Sequence, residues 1–394
     1  MLHSFDLPNS AAASALASLP ALGNAAKSKT NGAASSSASS AAPTGQTKAA
    51  AADSYADYEP SKLTYGPAHV EHVVESASLA CVSPTDVTLT PKLPAEVLSN
   101  GVLSRVQLEA VVYALQQHER KLPSGARAGF FIGDGTGVGK GRELAAIIWD
   151  NWRRGRRKAV WFTCNADLAV DARRDLNDIG ATDVPLQTLA ALPYDAKPLK
   201  EFPAGVMLVT YSCLVAKSSR MTRYEQLKAW LGGSSFDGVL AFDEAHKAKG
   251  AVHGQPVGKA VSSLQEDLPS ARVVYLSATG ATKVQDLSYM TRLGLWGPGT
   301  FFANFRAIEA ALGISGGAGA MEMLSVQLKA SGAYLARNLG LRGVDFHLEQ
   351  AKLSVEQAAL YDASAQLWVD MWQELTSLSP VMGLHPGRWE AMGR

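Results

Sequence analysis

Five short runs of this chain are apolar almost from end to end: AGFFIG (128–133), KAVWFT (158–163), GVMLVT (205–210), GVLAFD (238–243) and RVVYLS (272–277). A strand with one solvated face alternates apolar and polar residues, whereas a strand covered on both faces does not. Between the runs lie amphipathic segments such as RELAAIIWDNWRRG and ADLAVDARRDLNDIG, with apolar residues at helical spacing. Strand and helix in repetition, joined by right-handed crossovers, predict an α/β fold. The sheet is mainly parallel and sits between two layers of helices.

The flanks are of a different character. Residues 1–56, as in NGAASSSASSAAPTGQTKAAAA, hold few large apolar side chains. Such a segment cannot bury enough surface to offset its chain entropy, so a disordered arm is expected. Residues 57–345 read as the globular domain, with a helical, glycine-rich insertion at about 282–343 that includes LGISGGAGAMEML. Residues 346–394 read as a linker helix, LSVEQAALYDASAQLWVDMWQELTSL, and a tail.

Bulk properties exclude several classes. The net charge of +1 gives no general pull toward nucleic acid or membrane, so any basic face must be local. Cys81, Cys164 and Cys213 are widely spaced, which argues against a disulfide framework and a zinc site. The apolar runs are too short to span a membrane. The opening residues lack the basic start and continuous apolar stretch of a secretory signal.

The first predicted strand leads into GDGTGVGKGR (133–142), and a predicted helix follows. This is the setting of a phosphate-binding loop. Gly135, Gly137 and Gly139 permit backbone angles and close approaches that a Cβ would block. The N–H groups of Gly135, Thr136, Gly137, Val138, Gly139, Lys140, Gly141 and Arg142 are then candidates to face phosphate oxygens, aided by the positive end of the helix. Lys140 would reach the β- and γ-phosphates. Two positions depart from the usual GxxxxGK[ST] pattern. Asp134 stands where the first glycine is expected, which matters little if neighbouring glycines form the turn. Gly141 stands where a Ser or Thr would hold magnesium, and a water could take that hydroxyl's place.

Downstream, GVLAFDEAHKAKG places Asp243 and Glu244 at the carboxyl end of a predicted strand. In phosphate-loop enzymes an acid there holds magnesium, the role expected of Asp243. Glu244 can orient or deprotonate the attacking water. His246 lies just beyond. The next strand ends in SATG, where Ser277 and Thr279 can hydrogen-bond the acids and couple nucleotide state to neighbouring elements.

In this order, loop, DEAH and SAT resemble the first motor domain of a superfamily 2 helicase. The resemblance implies a RecA-like P-loop NTPase fold, ATP with Mg2+ as cofactors, and recognition of the adenine edge by Gln107 in LSRVQLEAV. Longer stretches are similar to the N-terminal ATPase region of the strawberry notch family over roughly residues 57–375. Among them are RAGFFIGDGTGVGKGR, WFTCNADLAVDARRDLNDIGA, FDGVLAFDEAHKAKG, ARVVYLSATGAT and GAMEMLSVQLKASGAYLARNL. The GKG ending is similar to what that family carries. The family resemblance further implies a nuclear location, a role in chromatin-linked transcription regulation, and nucleic acid, chromatin or regulatory proteins as partners.

A complete superfamily 2 motor adds a second RecA-like domain whose arginines reach the γ-phosphate. No second strand–helix series follows here, so ATP hydrolysis is expected to be slow or incomplete. The alternative is an ATP-responsive interaction module without motor activity. A phosphate-loop kinase fits poorly with DEAH and SAT. The cluster NWRRGRRKAVW (151–161) suits a solvated helix end better than a nucleic-acid contact. Thr210 and Ser212 fit a phosphate contact, by resemblance, and a helix cap equally well.

Overall fold

The computed structural model of the chain describes residues 55–195, 200–219, 221–245, 255–278, 284–300, 302–312, 318–342, 344–345 and 347–378. Of the arm expected to be disordered over 1–56, residues 1–54 lie outside the described residues, while Tyr55 and Ala56 instead begin an antiparallel strand paired with Glu75 and Ser76; the tail beyond 378 also lies outside. The chain divides into two compact units, Pro43–Arg342 and Met1–Ala42 together with Gly343–Arg394. In the second unit the described residues include one long helix, α8 (Val355–Leu378).

The first unit is built on strands β1 (Tyr55–Asp57), β2 (Val73–Ser76), β3 (Phe130–Ile132), β4 (Lys158–Thr163), β5 (Leu186–Thr188), β6 (Gly205–Thr210), β7 (Val239–Phe242), β8 (Arg272–Leu276), β9 (Tyr334–Leu335) and β10 (Asn338–Leu339). Seven form one sheet in the order β5-β6-β4-β7-β8-β3-β9, and every pair in it is parallel. All five strands expected from the apolar runs are in it. The sheet gains β5 and β9 at its edges, three and two residues long, too short to leave a pattern in the sequence. A separate antiparallel sheet, β1-β2-β10, lies beside β9 in the chain.

The main helices are α1 (Arg105–Gln117), α2 (Lys140–Arg153), α3 (Leu168–Asp178), α4 (Arg223–Leu231), α5 (Pro256–Asp267), α6 (Phe305–Leu312) and α7 (Ala318–Ala330). Successive strand residues point to opposite faces, and the two cores follow that alternation. Phe131, Phe162, Val209, Phe242 and Tyr275 join the core that α4, α5 and α7 cover. Phe130, Ile132, Trp161, Leu208, Ala241 and Leu276 join the core covered by α1, α2 and α3. This is a three-layer α/β sandwich, and its two-sided burial is why the five strands are apolar throughout. The region expected as a helical insertion contains α6 and α7, and α7 leads back into the sheet as β9.

Helix ends are specified locally. Ser104 caps α1 in a reciprocal box with Gln107, and Thr222 caps α4 with Glu225. The arginines after α2 are engaged: Arg154 pairs with Asp150 at 2.5 Å, Arg156 with Asp237 at 3.1 Å, and Arg157 lies 4.5 Å from the Trp152 ring centre. Aromatic rings run across the sheet beneath its carboxyl end, with Phe162 stacked on Phe242 at 4.8 Å and Phe242 on Tyr275 at 5.8 Å. Phe162→Ala should therefore lower unfolding free energy by about 3–5 kcal/mol in urea titration; a loss under about 1 kcal/mol would show the ring row to be loosely packed.

Candidate nucleotide site

The glycine-rich loop follows β3 directly and ends at the first residue of α2, so its shape is set by what surrounds residues 133–139. Gly137 and Gly139 have φ of 95° and 108°, a region that disfavours any side chain. A Cβ would also collide at each glycine. At Gly135 it would overlap the Asn338 amide, at Gly137 it would lie 2.6 Å from Leu339 Cδ1, and at Gly139 it would overlap Gln107 Nε2. The glycines thus admit neighbours from α1 and from the segment after β9, as well as leaving backbone N–H groups accessible. Lys140 Nζ donates to the carbonyls of Asp134 (2.8 Å) and Gly135 (3.2 Å), folding its ammonium back over the loop.

Asp134 is not the tolerated oddity expected from the sequence. It is fully buried and forms a bidentate pair with Arg337, also fully buried, through Oδ1 at 3.1 Å and Oδ2 at 2.5 Å. The Arg337 backbone N–H donates to the same carboxylate at 2.9 Å, while the Arg337 carbonyl accepts from Gly135 N–H at 2.7 Å. The guanidinium further donates to the Val106 carbonyl, Glu109 and Glu143. Tyr58 closes the far side by donating to Glu109 at 2.6 Å. One arginine therefore ties together the loop, α1, α2 and the segment preceding β10.

Three carboxyl groups around one guanidinium leave excess negative charge to be neutralised. Burial first, and then the Asp134 charge, push the Glu143 carboxyl well above the usual carboxylate range, which favours its protonated form. Burial also raises Glu109, opposed by Arg337.

Gln107 sits in the α1 capping box, its Oε1 accepting from Ser104 N–H at 3.0 Å, and its Nε2 donates to the Val138 carbonyl at 2.8 Å. It lines a cavity of about 480 Å3 with Gly137, Gly139, Arg142 and Asp175, beside the loop. Arg142 Nη2 pairs with Asp178 at 2.7 Å across that cavity. Gly141 has a local cause that the sequence alone did not reveal: a Cβ there would overlap Asp175 Oδ2, which approaches from α3. A carboxylate fills the space in which a Ser or Thr side chain at 141 would lie.

Asp243 and Glu244 follow β7 at the carboxyl end of the sheet, and β7 is separated from β3 by β8 alone. Asp243 accepts from Trp161 Nε1 at 3.3 Å and from Glu244 N–H at 2.9 Å. Burial raises its carboxyl above the ordinary carboxylate range, with the Trp161 and Glu244 N–H donors opposing that shift. Glu244 is the one non-glycine among the described residues with positive φ, at 49°. Tyr211 donates to the Asp243 carbonyl at 2.8 Å and Tyr289 to the Ala245 carbonyl, two buried props missed in the sequence. Ser277 is buried at the end of β8, its N–H bonded to Ile132 of β3. His246 and Thr279 lie outside the described residues. Thr210 caps the turn Tyr211–Leu214 by accepting from Cys213 N–H at 3.1 Å, and bonds Ser212.

A family profile described as P-loop containing NTP hydrolase pore-1 matches residues 68–363. The chain is 44% identical over 337 residues to Protein FORGETTER 1 of Arabidopsis thaliana, covering 84% of this chain and 26% of that protein. It is 44% identical over 344 residues to Protein strawberry notch of Drosophila melanogaster, with 84% and 21% covered. Against Protein strawberry notch homolog 2 of Homo sapiens it is 45% identical over 336 residues, with 84% and 24% covered. The chain thus spans about a quarter of the length of the curated relatives it matches. A solved SWI2/SNF2 ATPase core of Sulfolobus solfataricus in complex with dsDNA is similar at 19% identity, covering 74% of this chain and 56% of that one, with a TM-score of 0.44.

Two outcomes follow from this geometry. Gly141→Ser should cost under about 1 kcal/mol, because the Asp175 carboxylate it meets is the far end of a flexible side chain, and adding Asp175→Ala should remove that cost in thermal melts; a larger loss that Asp175→Ala leaves in place would show that Asp175 is not the obstacle. For Glu143, the folded state binds a proton the unfolded chain releases, so stability falls as pH rises from the ordinary carboxyl range through the raised value. Glu143→Gln should remove that part of the pH slope, and an unchanged melting temperature profile from pH 5 to 8 would contradict a protonated Glu143.

Proposed function

The chain belongs to the P-loop containing NTP hydrolase pore-1 family, in company with the strawberry notch proteins, and from that premise we propose that it binds ATP with Mg2+ and acts as a helicase-like ATPase domain. The observation that supports this most is the shared edge of one parallel sheet. The glycine loop and Asp243 follow β3 and β7, with only β8 between them. Ligands of open parallel sheets gather at that carboxyl edge.

The residues divide the work as follows. Backbone N–H groups of Gly137 to Gly141, at the N-terminus of α2, bind the polyphosphate. Lys140 exchanges its two carbonyl partners, Asp134 and Gly135, for β- and γ-phosphate oxygens. The cavity beside Gln107 takes the adenosine, and the Gln107 amide reads the base after giving up its bond to Val138. Magnesium, when bound, neutralises phosphate charge as the γ-phosphoryl leaves. The donor set suits it: the Asp243 carboxylate is a hard oxygen ligand, held in place by Trp161 and the Glu244 N–H. Glu244, fixed in an uncommon backbone conformation at the strand end, orients the attacking water and takes its proton. Ser277, between β3 and β7, links the loop to the acids.

The reading extends, on family membership alone, to a nuclear role in chromatin-linked transcription regulation with nucleic acid as a partner. The test is titration of a fluorescent ATP analogue against the purified chain and its Lys140→Ala variant, followed by hydrolysis assays with and without DNA or RNA. Loss of affinity by about tenfold or more in the variant is expected, since a charge-assisted phosphate contact is worth about 1.5–3 kcal/mol. Equal affinities would end the assignment. Hydrolysis stimulated by nucleic acid would support the motor-like role, and ATP binding without any turnover would favour an ATP-responsive interaction module.

A further inference from the structure

The phosphate loop does not hold its own shape. Its backbone is pinned from outside by the segment Ala333–Leu339, whose first part runs alongside β3 and whose continuation flanks the loop. Phe131 N–H donates to the Ala333 carbonyl, Gly133 N–H to Leu335 and Gly135 N–H to Arg337, a ladder that continues past the last residue of β3. Side chains of the same segment meet the glycines: Tyr334 against Gly133, Asn338 against Gly135, and Leu339 against Gly137. Arg337 then grips Asp134 from three directions, by its backbone N–H, Nε and Nη2.

The consequence falls on Lys140. Its two hydrogen-bond acceptors are the carbonyls of Asp134 and Gly135, the residues that Arg337 clamps. Where those two peptides lie determines where the loop N–H groups aim and where the ammonium rests. Displacement of about 1 Å in a positioned group can cost on the order of a hundredfold. Arg337 itself is fully buried and reaches the Val106 carbonyl, Glu109 and Glu143 with its remaining donors, so it cannot swing into the cleft to touch nucleotide.

We propose that Arg337 is a positioning residue for polyphosphate binding: through its forked pair with Asp134 it holds the glycine loop in the shape that receives the β- and γ-phosphates. This rests on reading the loop as an ATP site. The dependence on phosphate separates positioning from mere stability, because Arg337 clamps the Asp134–Gly135 part of the loop, whereas the part that lines the adenosine cavity, Gly137 to Gly139, is held separately by Gln107 through the Val138 carbonyl. The chemistry also specifies the variant. Removing the guanidinium alone strands buried carboxylates, whereas removing the pair together, as Asp134→Asn with Arg337→Met, takes out one charge of each sign.

The experiment uses the full chain and measures melting temperature, ATP affinity and AMP affinity for the wild type, for Asp134→Asn/Arg337→Met, for Arg337→Lys and for Lys140→Ala. The paired variant should still melt cooperatively, bind ATP about tenfold or more weakly, and bind AMP within about twofold of wild type. Arg337→Lys keeps the positive charge but loses the fork, and should show the same loss selective for ATP. It decides the matter if the paired variant does not fold. A folded variant with wild-type ATP affinity, or with ATP and AMP weakened alike, overturns the proposal. Lys140→Ala distinguishes the two failures. If it too leaves ATP affinity unchanged, the loop is not the polyphosphate site; if it alone lowers affinity, the site stands and the positioning role falls.

Discussion

The buried pair between Arg337 and Asp134 is the contact on which the geometry of the site depends. Taking both groups out of water costs several kcal/mol each, and only a forked, fully bonded arrangement repays it. Here every nitrogen of the guanidinium has an acceptor. Such a pair adds little to net stability compared with an apolar substitute. What it adds is direction. Five donors in a rigid plane, shared among three carboxyl groups and a carbonyl, allow few relative placements of the loop, α1, α2 and the stretch before β10. A protonated Glu143 completes the arrangement by relieving the charge that a third ionised carboxylate would bring.

On the other side of the cleft the constraint is of another kind. Asp243 and Glu244 depend on a row of aromatic rings and on two tyrosine hydroxyls that reach the backbone carbonyls of Asp243 and Ala245. The acids are thus positioned by their peptide backbone. Two N–H donors aim the Asp243 side chain. The glycine loop is held by a polar lock and the acidic strand end by apolar packing, with β8 as a spacer between them. A rigid separation of this sort is what a polyphosphate bridged by a metal requires of its two walls.

The five apolar runs could be read as strands because each is covered twice, and two-sided burial leaves an unmistakable composition. Edge strands β5 and β9 are too short to do so, and β5 is only half-buried. The site was readable only where its parts are contiguous: the glycine loop, the two acids, the serine after β8. Asp134 and Gly141 looked like departures from a pattern because their explanations lie far away in the chain. Arg337 answers Asp134 from 203 residues downstream, and Asp175 answers Gly141 from α3. Both partners stand in stretches that resemble the family, but nothing local in those stretches shows what either residue does. An arginine in GAYLARNLG and an aspartate in a helix of many charges look like surface residues until the fold brings them in.

Those two answers also change what a glycine in such a loop signifies. The usual account assigns glycines to the ligand, as room for phosphate. In this chain Gly135 and Gly137 make room for Asn338 and Leu339, Gly139 for Gln107, and Gly141 for Asp175. A loop packed against four such neighbours has less conformational freedom to lose when a ligand binds. That prior ordering lowers the entropy to be lost on binding. A loop with the same glycines but without Arg337 and its neighbours would keep the sequence signature and lose the preorganisation. The signature and the capacity to bind are therefore separate properties, joined here by residues from helices and strands outside the loop.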